Sequence, residues 1–153
     1  MMLYNVDTER INRQLHYLGQ CLSVVDESRG MLDKGEPLAC FAAARALHIG
    51  VECVIDVGST MIDGFIMRDP GGYSDIIDIL EDEQVIPTEE VDRLKKLIRF
   101  RDRLMRHYVE VTPEDLRNEA EDVDVFRSFT SWVQEYLRRE LGPEAIPDGE
   151  GRA

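Results

Sequence analysis

Residues 38–67 read LACFAAARALHIGVECVIDVGSTMIDGFIM, and the pattern in this stretch decides the fold. Its polar members Arg45, His48, Glu52, Asp56, Ser59 and Asp63 recur at spacings of three and four, which gathers them into one narrow stripe of a helix. Nearly every other position is apolar. Such a helix must be buried on most sides, at the centre of a bundle or against another subunit, because water would otherwise meet apolar surface all round it. Charged residues interrupt the run too often for a membrane span. Ala42, Ala46 and Gly50 repeat every four residues, so a neighbouring backbone can approach closely there.

Upstream, Ile11, Leu15, Leu18, Leu22 and Val25 form the apolar stripe of a helix that begins at Thr8 and ends near Gly30. Downstream, Arg68-Asp69-Pro70-Gly71-Gly72 breaks the central helix, since proline disfavours helical geometry before it and the glycines permit a reversal. Ser74 then caps a short helix running through Leu80. Thr88, followed by Glu89 and Glu90, opens a helix that reaches Tyr108. Thr112-Pro113-Glu114-Asp115 starts the last helix with a cap, a first-turn proline and an acidic third residue, and Val111 and Leu116 can staple its entry. Its inner face runs from Leu116 through Ala120, Val123, Phe126, Phe129, Val133 and Tyr136 to Leu137, until Gly142-Pro143 stops it. The expected architecture is all-α, an antiparallel four-helix bundle with one extra short helix. It forms a single domain over residues 1–142, and the polar tail 143–153 is expected to be disordered.

The 153 residues suit one domain, and 43% hydrophobic with 32% charged residues is the composition of a globular chain with a solvated surface. A formal charge of −13 repels nucleic acid at long range, so contact with it needs a local basic patch. Arg93, Lys95, Lys96, Arg99, Arg101, Arg103 and Arg106 supply one within a single segment. The bland alternative is a solvated helix face. Cys21, Cys40 and Cys53 are odd in number, widely spaced and set among apolar residues, which fits reduced thiols. Asp7 and Glu9 stand where a secretory leader would be basic, so a cytoplasmic location is expected. Phosphate-binding glycine loops, nucleophile elbows and cysteine-based zinc patterns are missing from the sequence, and we expect no cofactor. His48, Glu52 and Asp56 share a helix face at metal-ligand spacing, but a polar stripe on a buried helix explains them more simply, and no resident metal is expected.

Phe100-Arg101-Asp102-Arg103-Leu104-Met105-Arg106-His107-Tyr108 brings together the groups that phosphate chemistry uses. An arginine fork holds a phosphodiester, a histidine moves a proton near neutral pH, and a carboxylate orients either. On this helix an apolar stripe passes through Val91, Leu94, Ile98, Met105 and Tyr108, and Arg101 occupies its missing rung. A guanidinium facing inward must find a carboxylate, carbonyls or a phosphate, because burying it unpaired costs several kcal/mol. Arg99, Arg103 and Arg106 read more simply as solvated charges, with Asp102 and Arg106 spaced for a surface pair worth roughly 0.3–0.5 kcal/mol. His107 lies about 120° around an ideal helix from Arg101, so one chain makes a poor pocket and two copies about a symmetry axis make a cleft for single-stranded RNA. Its plain alternative is a cation closing a helix end, and that of Tyr108 is an interface aromatic.

The helix order, the segment Met61-Ile62-Asp63-Gly64-Phe65-Ile66-Met67-Arg68-Asp69-Pro70 and the Arg101-Asp102 start of the motif resemble the bacterial HepT-like family, including its YutE branch. The resemblance covers most of the chain and is strongest from Gly58 to Tyr108. It implies a helical bundle of the HEPN superfamily, a homodimer, and RNA-cleaving toxins paired with a nucleotidyltransferase antitoxin. Arg101-Asp102 followed by His107 fits the superfamily's arginine-to-histidine pattern. By this likeness Arg101 binds the scissile phosphate, His107 transfers protons and Asp102 orients them without metal, while Arg99, Arg103 and Arg106 contact the RNA. Tyr108 matches the tyrosine that the partner modifies. HepT proper carries His-x-Tyr, however, whereas His107 directly precedes Tyr108 here. Anchoring on Tyr108 puts Arg106 at the histidine position, and an arginine stays protonated. The alternative reading is a catalytically degenerate dimeric module that binds nucleotide, RNA or a protein partner, and a purely structural dimer is the third.

Overall fold

The structure, a computed structural model, describes residues 4–146, and these form six α-helices joined by short turns, with no strand among the described residues. Helix α1 (Thr8–Leu32) is capped by Asp7, whose carboxylate accepts the Arg10 N–H at 3.0 Å. Its expected stripe is buried throughout. Gly30 does not end it. The reversal falls at Gly35, whose φ of +65° is the left-handed geometry that glycine adopts without penalty.

Helix α2 (Pro37–Gly64) is the buried centre that its sequence demands. Glu36 accepts the N–H groups of Leu38 and Ala39 at 3.1 and 2.8 Å, and Pro37 fills the first turn, where no donor is needed. At Gly50 the close neighbour is a ring, not a backbone: Phe126 lies 3.2 Å from where a Cβ would stand. At Gly58 that distance to the Ile76 side chain is 2.5 Å, so only glycine admits the crossing helix there.

Helix α2 ends short of the expected Met67. The Met67 N–H returns to the Ile62 carbonyl at 2.9 Å and the Ile66 N–H to Asp63 at 3.4 Å, the paired bonds of a Schellman stop. Phe65 meanwhile packs edge-on against Tyr4 and Tyr136, at 5.0 and 5.1 Å between ring centres. Ile66 takes the left-handed position at φ 57°, which costs a β-branched residue about 1–2 kcal/mol, and its side chain is exposed. Ile66→Gly is therefore expected to raise the thermal midpoint by roughly 2–4 °C. Calorimetry checks this, and a lowered midpoint would mean that the isoleucine side chain contributes more than its strain costs.

Helix α3 (Tyr73–Asp82) starts before Ser74, which lies inside it and does not cap it. The turn is held instead by Asp75, which accepts the Gly71 N–H at 2.8 Å and a two-point contact from the Arg68 guanidinium at 2.8 and 3.0 Å. The Arg68 contact, with the Gly71 bond, holds the Asp75 carboxyl down at about 2.

A 3-10 turn over Thr88–Glu90 leads into α4 (Val91–Arg106), so Thr88 makes no side-chain cap. The buried stripe of α4 is Val91, Leu94, Leu97, Ile98 and Phe100. Met105, in the last turn of α4, and Tyr108, both expected inside, are exposed; for Tyr108 the cause is that the helix stops at Arg106 and a second 3-10 turn, Tyr108–Glu110, carries the chain outward.

The expected last helix is two. Helix α5 (Pro113–Ala120) has the full capping box, with Thr112 Oγ1 accepting from the Asp115 N–H at 3.1 Å and the Asp115 carboxylate accepting from the Thr112 N–H at 3.0 Å. Helix α6 (Asp124–Leu141) follows after a break. Asp122 explains the break: Arg93 reaches its carbonyl at 3.5 Å and Lys96 its carboxylate at 3.0 Å, while tightened three-residue bonds replace the helical ladder from Glu121 to Val123. Gly142, at φ 99°, ends α6. Pro143–Ala145 forms another 3-10 turn, and the Ala145 carbonyl accepts from Asn12 at 3.2 Å, so the expected tail starts folded. Residues 147–153, the rest of that expected tail, lie outside the described residues.

Beside the break, Glu119 is nearly buried, with one carboxylate oxygen unpaired and Lys96 3.9 Å from the other. Burial raises its pKa. A carboxyl raised in the fold binds its proton more tightly there than in the unfolded chain, so stability falls as pH climbs from the ordinary glutamate value through the folded one. Glu119→Gln is expected to flatten that fall and to melt roughly 2 °C higher at pH 7. Melting curves at mildly acidic and neutral pH decide it; an unchanged pH slope would contradict the assignment.

Candidate functional site

Arg101 lies on the face of α4 turned toward α2, and its side chain is only 11% exposed. The carboxylate that an inward guanidinium requires is Glu52, on the polar stripe of α2, to which Arg101 donates through Nε. Tyr73, at the start of α3, lays its ring 4.8 Å from the guanidinium carbon, close enough for a cation–π contact. His48, one turn before Glu52, brings its Nε2 to 3.5 Å from the same carboxylate oxygen. Three helices thus converge on one cation. Asp56, a turn further along, has its pKa raised by burial and then by the charge of Glu52, with Arg10 and Arg101 opposing.

The remaining expected residues are arranged differently. Asp102 pairs with Arg106 at 3.2 Å, and Arg103 donates to Asp115 at 2.9 Å while lying 5.6 Å from the Phe100 ring centre. Asp115 is pulled below the ordinary carboxylate range first by the Thr112 N–H and then, against burial, by Arg103. Arg99 is exposed. His107 is the C-cap of α4, its side chain 56% exposed and its Nδ1 3.4 Å from Glu110. Arg101 and His107 therefore share no partner within one chain. Tyr108 is exposed as well.

Beside this cluster opens a groove of about 570 Å³ lined mainly by apolar side chains, among them Phe41, Ala44, Leu104, Tyr108 and Val109, with His48 and Arg45 on its wall. Phe41 and Val109 are 78% and 86% exposed. Cys40 also lines it, whereas Cys21 and Cys53 are buried, and burial pushes the Cys53 thiol up to about 12. All three cysteines are free thiols. His48, Glu52 and Asp56 make no metal-binding group, and no such group occurs among the described residues.

Sequence reasoning placed Arg101 inward but missed Glu52 and Tyr73 as its partners. One signal was available for Glu52: a buried arginine needs a carboxylate, and the stripe of α2 is where a central helix can offer one. Tyr73 left no signal, because its place depends on how the turn at residues 65–72 folds back.

The six-helix bundle of this topology defines a class whose fold known proteins share. Residues 14–131 match the family described as "Ribonuclease HepT-like". The chain is 38% identical over 142 residues, 92% of its length and 96% of the relative's, to the Bacillus subtilis (strain 168) protein named "Putative RNase YutE". The solved structure of YutE, described as a cytosolic protein from Bacillus subtilis, superposes with a TM-score of 0.84 at 36% identity, over 94% of this chain and 100% of that one. A crystal structure described as a toxin-antitoxin with AMP-PNP shares the fold, with a TM-score of 0.76 at 16% identity over 82% of this chain and 97% of that one. The chain belongs to the HepT-like family.

Proposed function

We propose that the protein is a metal-independent endoribonuclease toxin that acts as a homodimer in the cytoplasm. Arg101 binds the scissile phosphate of single-stranded RNA and stabilises the charge that builds on it. His107, brought from the second copy, moves the proton between the ribose 2′-hydroxyl and the leaving oxygen. Asp102, which already holds Arg106, orients that cation toward the strand, and Arg99 and Arg103 add backbone contacts. A nucleotidyltransferase antitoxin silences the site by modifying Tyr108, whose side chain stands exposed beside the groove.

One observation carries this reading: a HepT-like chain keeps an arginine nearly buried and oriented, with no hydrogen bond among the described residues at its two terminal nitrogens. The exposed apolar groove next to it supports a second copy, since a surface holding Phe41 and Val109 gains by being covered. Purified protein should cut a labelled single-stranded RNA equally well with and without a chelator, and His107→Ala should reduce the rate roughly 10²–10⁴-fold. Cleavage that vanishes with the chelator, or survives His107→Ala unchanged, rejects the mechanism. A second reading, a dimeric module that binds RNA without cutting it, is favoured by His107 capping α4 and facing Glu110. RNA bound but never cut would select it.

A further inference from the structure

We infer that Glu52 and Tyr73 are positioning residues, which hold the Arg101 guanidinium so that its two terminal nitrogens face an incoming phosphate oxygen. The inference rests on the ribonuclease reading for its function, but not for its geometry.

The guanidinium has a plane and two usable edges, and the fold occupies them selectively. Glu52 takes the Nε–H. The guanidinium carbon lies over the Tyr73 ring, 4.8 Å from its centre. The terminal nitrogens hydrogen-bond to no other described residue, and neither is among the buried side-chain atoms left unsatisfied, so neither is fully closed off from solvent although the side chain as a whole is almost enclosed. A planar cation held at Nε and set against an aromatic ring keeps its forked pair of terminal donors free for a ligand, the arrangement that suits an oxyanion. Glu52 is itself steadied, because His48 approaches the oxygen that Arg101 uses. Tyr73 is placed by the Gly71-Gly72 turn, which Asp75 locks through its contacts with the Gly71 N–H and Arg68. The clamp is assembled from α2, α3 and the loop between them, all outside the motif that carries Arg101.

Two variants at each position test the clamp. Glu52→Gln keeps an oxygen for the Nε–H, and Tyr73→Phe keeps the ring; Glu52→Ala and Tyr73→Ala remove them. In nitrogen-15-labelled protein, the slowly exchanging Arg101 Nε–H signal should persist in wild type, Glu52→Gln and Tyr73→Phe, broaden in Tyr73→Ala and disappear in Glu52→Ala. On a labelled oligouridine of about 12 nucleotides, the two alanine variants should lose roughly 10–100-fold in kcat with KM changed little, and the conservative variants should be restored to near wild type. An Arg101 signal and kcat untouched by both alanine changes would overturn the inference, as would conservative variants that fall as far as the alanine ones. Should Glu52→Ala fail to fold, the Tyr73 pair decides alone, since that side chain is half exposed. If the wild type cuts no RNA, the ribonuclease reading fails, and the Nε–H signal still decides the clamp.

Discussion

Arg101→Ala is expected to lower RNA cleavage by roughly 10²–10³-fold or more in kcat, the loss seen when a preorganised group facing transition-state charge is removed. The size of the effect follows from burial. A solvated arginine can be replaced by its neighbours, but Arg101 is fixed between Glu52 and Tyr73, while Arg93, Lys95 and Lys96 are held by Glu90, Asp78 and Asp122. Arg103 and Arg106 are already paired with Asp115 and Asp102, so they cannot substitute without breaking those pairs. Arg101→Lys should fare little better, because an ammonium lacks both the Nε edge and the fork. Single-turnover cleavage measures the loss, and a rate within about threefold of wild type in either variant would remove Arg101 from the mechanism. Stability should change far less than activity, since Glu52 is 29% exposed and keeps His48 beside it.

Phe126→Ala is the substitution expected to harm the fold most. The ring is buried between α6 and the notch at Gly50 of α2, so its loss leaves a cavity bounded by a helix that carries the site. Phe-to-Ala changes in such positions cost about 3–5 kcal/mol, a large share of the ~5–15 kcal/mol that holds a domain together. The thermal midpoint should fall by roughly 10 °C, and activity should decline before the transition because His48 and Glu52 lie on the adjoining turn of α2. A fall below about 3 °C would show that neighbouring side chains, such as Leu18, collapse into the space.

Sequence made the central helix legible because its polar stripe is narrow and periodic, and burial then follows from the lack of any second polar face. The same logic exposed Arg101 as an inward charge. Periodicity failed where side chains from another element set the backbone. The stripe Leu116 to Leu137 runs unbroken on paper, yet Asp122 is drawn onto Arg93 and Lys96 and the helix parts there. Local capping rules succeeded at Thr112, whose partner lies three residues away, and failed at Ser74, where Asp75 and a distant Arg68 do the holding. Tyr108 was misplaced for a related reason: continuing the α4 stripe to it assumes a helix that persists beyond Arg106. The site suffered most from this limit, since Glu52 and Tyr73 are joined to Arg101 only by tertiary packing.

Within one chain Arg101 faces Glu52 and His107 faces Glu110, so the proposed cleavage requires a second copy to bring the imidazole to the guanidinium. The most direct measurement is cleavage by a mixed dimer, one subunit carrying Arg101→Ala and the other His107→Ala, purified through different tags. Pairing across the two-fold axis leaves one intact arginine–histidine set, and the mixed dimer should recover about half the wild-type rate while each parent homodimer stays inactive. A mixed dimer as inactive as its parents would contradict a site shared between the two copies.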